Sequence, residues 1–228
     1  MNVISYQQQP PDWLQDECLR VGIVCVEQSL ELEKPYLSFT EGKLQLVNPL
    51  EKKQKPIFVD FLEGTVARRL QRVDSSGEVL KKVFGKNLKN KNYFDATPGL
   101  GVDSMIALKL GLNVYACEKN PIVYLLLLDG LKRYFLENRS EEERYKLEFG
   151  DSLINFRSFK DGLFDIVYVD LMFEASTKKS KSKKGMETLK MLMGGEGSPS
   201  EANNSEWIEE FLLEPWKKLV YKLSLIHI

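Results

Sequence analysis

Histidine is almost missing from this chain: there is one in 228 residues, His227, and it lies in the last six positions. That scarcity removes the commonest general base and the commonest metal ligand from the available chemistry. The three cysteines, Cys18, Cys25 and Cys117, are odd in number and show no C-x-x-C spacing. They argue against a disulfide framework or a zinc site and suit a reducing cytoplasm. No apolar run approaches the roughly 20 residues needed to span a bilayer, and the polar start MNVISYQQQPPDW lacks the pattern of a signal peptide. Surplus charge is missing as well. With 32 basic residues against 33 acidic, any attraction to nucleic acid has to come from a local basic patch.

The closing hexapeptide LSLIHI is what CTG TCT CTT ATA CAC ATC encodes, which resembles the end of a transposase-type sequencing adapter. Residues 223–228 are therefore expected to be a non-native tail. On that reading no histidine belongs to the native sequence at all.

What is present divides the chain in two. Residues 1–62 mix short β-rich runs with turns: RVGIVCVEQ (20–28) and YLSFTEGKLQLVN (36–48) read as strands, the latter a hairpin turning at Glu41-Gly42, and KPIFVDF (55–61) is another apolar run, ending on an acid. GTVARRLQRV (64–73) and SSGEVLKKVFG (75–85) are predicted helices, the second opened by its serine pair and closed by glycine. From about residue 92 strands and helices alternate. NYFDAT, NVYACEK, YKLEFGD, FDIVYVD and KLVYK are predicted strands; DSMIALKLG, PIVYLLLLDGLKRYFLEN, a stretch around GMETLKMLMG and SEWIEEFLLEPW are predicted helices. Such alternation predicts an α/β fold with a doubly wound, mostly parallel, Rossmann-like sheet over residues 63–222.

In a sheet of this kind ligands bind outside the carboxyl ends of the strands. Asp95 ends the first strand of that region and leads into Thr97-Pro-Gly99-Leu-Gly101, followed by Asp103. Glu118 ends the second, Gly150-Asp151-Ser152 the third, and Asp170 the fourth. Carboxylates around a glycine turn disfavour a phosphate-rich ligand and favour one with hydroxyls, amines and a positive centre. Glu118 is placed to accept from two ribose hydroxyls, Asp151 from an adenine amine, and Asp95 with Gly99 and Gly101 to meet an amino-acid moiety. S-adenosylmethionine carries all of these groups. A dinucleotide site would need a third glycine, but Gly101 is followed by Val102, Asp103 and Ser104.

Together DATPGLGVDS, CEKNPIVYLLLLDGL, VYVDLMF and KKSKSKKGMETLKMLMG resemble the ribosomal RNA small subunit methyltransferase J family, as do LSFTEGKLQLVN and IFVDFLEGTVARRLQR upstream. The resemblance covers residues 36–222. It implies a class I methyltransferase that moves a methyl group from S-adenosylmethionine to N2 of a guanosine near the 3′ end of 16S rRNA. Carried over by position, the cofactor contacts are Val102, Asp103, Glu118, Lys119, Asp151, Ser152 and Asp170. Two positions depart from the family pattern: Val102 stands where the family usually has arginine, and Leu171 where it has proline. In the turn Asp170-Leu171-Met172-Phe173 the acid can accept from the target amine and the ring can stack on an extruded base.

RNA contacts are expected from Lys178, Lys179, Lys181, Lys183 and Lys184 directly behind that turn, and from Arg68, Arg69 and Arg72 on the helix after IFVDF. Two other readings stay open: a methyltransferase acting on another amine, and a non-catalytic RNA-binding relative. The class I sheet normally has seven strands, and only five are legible, so truncation after the fifth is expected.

Overall fold

The structure is a computed structural model, and it describes residues 3–6, 9–27, 35–51, 53–75, 77–170, 207 and 209–221. Four strands form a first sheet: β1 (Val3–Tyr6), β2 (Val24–Glu27), β3 (Tyr36–Thr40) and β4 (Lys43–Val47), in the order β2-β1-β3-β4. β3 and β4 form the expected antiparallel hairpin. Glu41 and Gly42 both take positive φ, 54° and 71°, as a tight two-residue turn requires. β1, by contrast, runs parallel to β2, and parallel neighbours need a crossover. Helix α1 (Asp12–Arg20) supplies it, burying Leu14 and Cys18 one turn apart. The strand expected from residue 20 therefore starts only at Val24, because Arg20 closes α1.

KPIFVDF, the apolar run ending on an acid, forms no strand of its own. Its one ladder contact is a bridge between Ile57 and Leu46. The Asp60 carboxylate then accepts the backbone N–H groups of Leu62 and Glu63 at 2.9 and 3.1 Å and turns the chain. Helices α2 (Gly64–Gln71) and α3 (Val79–Phe84) follow. The cap of α3 is Glu78, which accepts from Leu80 N–H, rather than the serine pair.

The second sheet has five strands, β5 (Asn92–Asp95), β6 (Asn113–Glu118), β7 (Tyr145–Phe149), β8 (Ile166–Val169) and β9 (Leu219–Tyr221), in the order β7-β6-β5-β8-β9. Every pairing in it is parallel. Helices α4 (Val102–Lys109), α5 (Pro121–Glu137), α6 (Arg139–Glu142) and α7 (Ser152–Arg157) lie among these strands in sequence. Alternate side chains of β5 and β8 leave on opposite faces. Tyr93 and Tyr168 join a large cluster with α4 and α5, while Phe94, Val167 and Val169 join a smaller one with Phe156, Phe164 and Phe211. A strand buried on both faces is why IVYV carries no polar alternation.

The two sheets share one core. The larger cluster runs from Ile4 and Leu37 through Val59 and Phe61 to Met105 and Leu125. Polar ties reinforce the joint on α5. Leu44 N–H donates to Asp129 Oδ2 at 3.2 Å, and Arg133 reaches both Asp129 Oδ2 (2.9 Å) and the carbonyl of Val59. Gly130 lies where any Cβ would run into Val59. No described helix is long and apolar enough to cross a membrane.

Candidate active site

β5 delivers Asp95 to the carboxyl edge of the second sheet with 1% of its surface exposed. The acid does not face outward. Ser104, on α4, donates its hydroxyl to Asp95 Oδ2 at 2.5 Å, and Thr97 N–H binds Oδ1 at 3.1 Å. Burial pushes its pKa up to about 7, against the pull of these two donors. Asp95 thus pins both the start of the turn and the first helical turn after it.

The turn from Ala96 to Gly101 closes on a Gly101 N–H to Pro98 carbonyl bond of 2.8 Å. Both glycines have positive φ, +53° at Gly99 and +78° at Gly101, but they differ in what surrounds them. Nothing lies within 4 Å of a Cβ built at Gly99. One built at Gly101 would overlap Leu127 of α5 and approach Phe61 Cζ to 3.2 Å. Gly99 is the open backbone position, whereas Gly101 lets α4 pack against α5 and the 58–61 segment. Val102 and Leu100 line a cleft of about 210 Å³ with Phe58, Asp60 and Gly64.

Asp103, in the first turn of α4, is turned sideways. It accepts the Tyr168 hydroxyl at 2.6 Å and lies 3.7 Å from Arg69. Arg69 itself forms a two-pronged pair with Glu78 at 3.0 Å on each arm. Expected beforehand among the RNA contacts, it ties α2 to α3 and α4. Arg68 lies exposed on α2 and Arg72 exposed just past its end.

Glu118 ends β6 with 8% of its surface exposed and accepts Asn120 N–H at 2.8 Å. Burial raises its pKa to about 7, while N–H groups of Asn120 and Gly99 pull the other way, so this carboxylate sits beside the glycine turn. Lys119 next to it is exposed. Asp151 uses Oδ1 to cap α7 through Leu153 and Ile154 N–H (2.9 and 3.1 Å), with Ser152 buried behind it. Asp170, 7% exposed, ends the β8 segment. Its N–H donates to Thr97 Oγ1 at 2.7 Å, which fastens the end of β8 to the glycine turn. Thr97 and Ser104 were not read from the sequence as site residues; the signal for them was a hydroxyl on each side of the glycine turn. Leu171, Met172, Phe173 and the lysines from Lys178 to Lys184 lie outside the described residues.

Residues 24–202 match the family described as "Putative SAM-dependent methyltransferase". The ribosomal RNA small subunit methyltransferase J of Hahella chejuensis is 37% identical over 169 residues, covering 72% of this chain and 63% of that protein. Its counterpart from Shewanella loihica is 34% identical over 197 residues, covering 85% and 74%. The chain belongs to the ribosomal RNA small subunit methyltransferase J family. It spans 63% of the length of the first of these relatives and 74% of the second. A solved SAM-dependent methyltransferase from Neisseria gonorrhoeae shares the fold, with a TM-score of 0.70 at 25% identity over 96% of this chain and 84% of that one.

The cofactor of this methyltransferase J family member, S-adenosylmethionine, fits the edge just described. Gly99 leaves open space at the turn after β5, Glu118 and Asp170 end the two strands that flank it, and Asp151 follows β7 one strand further out. Acceptors suit ribose hydroxyls, an exocyclic amine and a cationic sulfur better than a run of phosphates.

Proposed function

We propose that this chain transfers a methyl group from S-adenosylmethionine to the N2 amine of a guanosine in 16S rRNA of the small ribosomal subunit, in the cytoplasm. The observation that carries the reading is the Asp170 N–H to Thr97 hydroxyl bond of 2.7 Å. It fastens the backbone of Asp170, a buried acid at the end of β8, to the glycine turn, which supports reading that acid as the acceptor for an incoming amine.

The bound cofactor supplies an electrophilic methyl carbon on a sulfonium. The residues do the rest. Glu118 accepts from the ribose hydroxyls, and Oδ2 of Asp151 is the acceptor offered to the adenine amine. Asp95 acts indirectly in this account, holding Thr97 and Ser104 so that Gly99 stays open. Gly101, Val102 and Asp103 shape the turn from behind, and Lys119 and Ser152 flank the acids that bind. Asp170 accepts an N–H of the guanine amine. With the cofactor bound, the nitrogen lone pair would bond to the methyl carbon as the carbon–sulfur bond breaks and its electron pair stays on sulfur as a thioether, and Asp170 would take up the proton released by the amine. Such a reaction needs alignment more than a strong base, in keeping with a chain that has so little histidine. Phe173, with Leu171 and Met172 beside it, is assigned to stacking on the extruded base. Arg68, Arg72 and the lysines 178 to 184 are assigned to phosphates.

Incubating 30S subunits or 16S rRNA with methyl-labelled cofactor, digesting to nucleosides and separating them tests this. Label in N2-methylguanosine is expected. Label in another nucleoside, or in ribosomal protein, would move the substrate assignment elsewhere.

A further inference from the structure

Among the described residues, those assigned to the RNA so far are Asp170, at the carboxyl end of β8, and Arg68 and Arg72 on and just after α2. The opposite, amino edge carries a separate concentration of positive charge. Between Val79 and Phe94 there are five lysines and no acid. Lys81 pairs with Asp74 at 3.0 Å. The other four, Lys82, Lys86, Lys89 and Lys91, have no ion-pair partner among the described residues; the first three are exposed and Lys91 is half-buried.

These lysines do not sit on a loose loop. Phe84 and Leu88 are buried and anchor it from both sides of Gly85. Asn87 and Asn90 take positive φ, 55° and 62°, and Asn90 N–H bonds the Gly111 carbonyl at 2.8 Å. Asn113 Nδ2 donates to the Asn90 carbonyl and to Asn92 Oδ1. Holding like charges together on fixed backbone is electrostatically unfavourable unless an anion shares the surface.

Two further lysines extend the patch. Lys91 directly precedes β5, and Lys217 and Lys218 directly precede β9. In a parallel sheet all of these positions lie on the same edge, with β8 and its leading Asp165 between them. Lys217 takes up Asp165 at 3.1 Å, and Lys218 donates to the carbonyls of Val83 and Phe84 at 2.6 and 3.0 Å, capping α3. Asp165 is already paired with Lys217, and Asp161 lies exposed four residues before it, so lysines outnumber acids along this edge.

We propose that this lysine edge is a second RNA-binding surface, taking phosphates of the same RNA whose guanine enters at the opposite edge. β5 and β8 are four residues long, so the two edges are separated by roughly 13 Å of strand. An RNA segment beside the target can reach both. The proposal rests on the RNA reading given above and adds where the backbone is held. Lysines meeting phosphates supply affinity without sequence readout.

The test uses the full chain with four substitutions, Lys82→Gln, Lys86→Gln, Lys89→Gln and Lys91→Gln, against deproteinised 16S rRNA by filter binding across a potassium chloride series. A second variant, Lys53→Gln with Lys55→Gln, removes exposed lysines far from the patch. S-adenosylmethionine affinity, measured by calorimetry, reports that each variant is folded. The expected result is cofactor affinity within twofold of wild type in both variants, and RNA affinity at least tenfold weaker in the fourfold one. Its slope of log K against log salt should be shallower by about 3, or about 0.7 to 0.9 per lysine, with the double variant unchanged. Wild type binding RNA with the fourfold variant matching it in affinity and slope would overturn the second surface alone. An equal loss in both variants would do the same, since the charge would then act diffusely. Wild type failing to bind RNA would overturn the RNA reading and this surface with it.

Discussion

Glu118 carries a cost that a ligand can relieve. Its pKa stands at about 7 rather than the usual 4.5, mainly because the end of β6 is buried. A raised carboxyl means that the ligand-free fold binds an extra proton. Its contribution to stability therefore falls as pH rises from about 4.5 to about 7 and is flat above. Hydroxyls donating to Glu118 favour the ionised form, so cofactor affinity should climb from pH 6 to about pH 7.5 and then level off. About three-quarters of a proton should be released on binding near pH 6.5, which calorimetry in buffers of different ionisation enthalpy would detect; Glu118→Gln should abolish both effects. A pH-independent affinity would place the ribose elsewhere. The two glycines separate in the same way. Gly101→Ala should cost about 3 kcal/mol in denaturant unfolding, from overpacking against Leu127 on top of an unfavourable φ. Gly99→Ala pays only the φ strain, about 1 kcal/mol, and should instead weaken cofactor binding.

At the scale of elements, the joint between α2, α3 and α4 rests on Glu78, which caps α3 and clamps Arg69, itself 3.7 Å from Asp103. Glu78→Ala should lower stability by about 1 to 2 kcal/mol, read from the urea midpoint, and a loss below about 0.3 kcal/mol would show the clamp to be ornamental. This joint was not legible in the sequence, where Arg69 was grouped with Arg68 and Arg72 as a phosphate binder. Charge periodicity shows which residues share a helix face, but it cannot show that a neighbouring helix brings a carboxylate there. β8 was legible because a strand covered on both faces is a nearly continuous apolar run, and β5, β6, β7 and β9 because strand-like runs alternate with helical ones along the chain. β1 and α1 were not: a four-residue strand and a nine-residue helix of mixed polarity leave little pattern, and the parallel pairing that demands the crossover is a long-range fact. The acids at the strand ends were found in sequence as a set. What each one touches depended on Ser104, Thr97 and Tyr168 reaching in from other elements.

For the whole molecule, the first sheet and the methyltransferase sheet share one core through α5, and we propose residues 1–62 as a module that folds only together with the rest. Asp129, 1% exposed, holds Arg133 and Leu44 N–H at the seam. Asp129→Ala strands both groups and should cost about 2 to 4 kcal/mol. With Trp207 and Trp216 replaced by Phe so that Trp13 in the first sheet's helix is the sole fluorophore, fluorescence and far-ultraviolet dichroism should still lose their signals in one transition; two separate transitions would mean that the sheets fold independently. This architecture bears on catalysis because Phe61 and Leu127 from the seam press on Gly101. The glycine turn is braced from the amino-terminal side, while Asp170 is tied to it from β8.

The central claim is that Asp170, fastened to the glycine turn through Thr97, receives the guanine amine. Single-turnover methyl transfer to 16S rRNA by wild type and by Asp170→Ala, with cofactor affinity measured in parallel, tests it most directly. The account predicts N2-methylguanosine from wild type, and a rate at least about 100-fold lower in the variant with its cofactor binding changed much less. Equal rates in the two proteins would contradict it, as would a variant whose whole loss is accounted for by failure to bind S-adenosylmethionine.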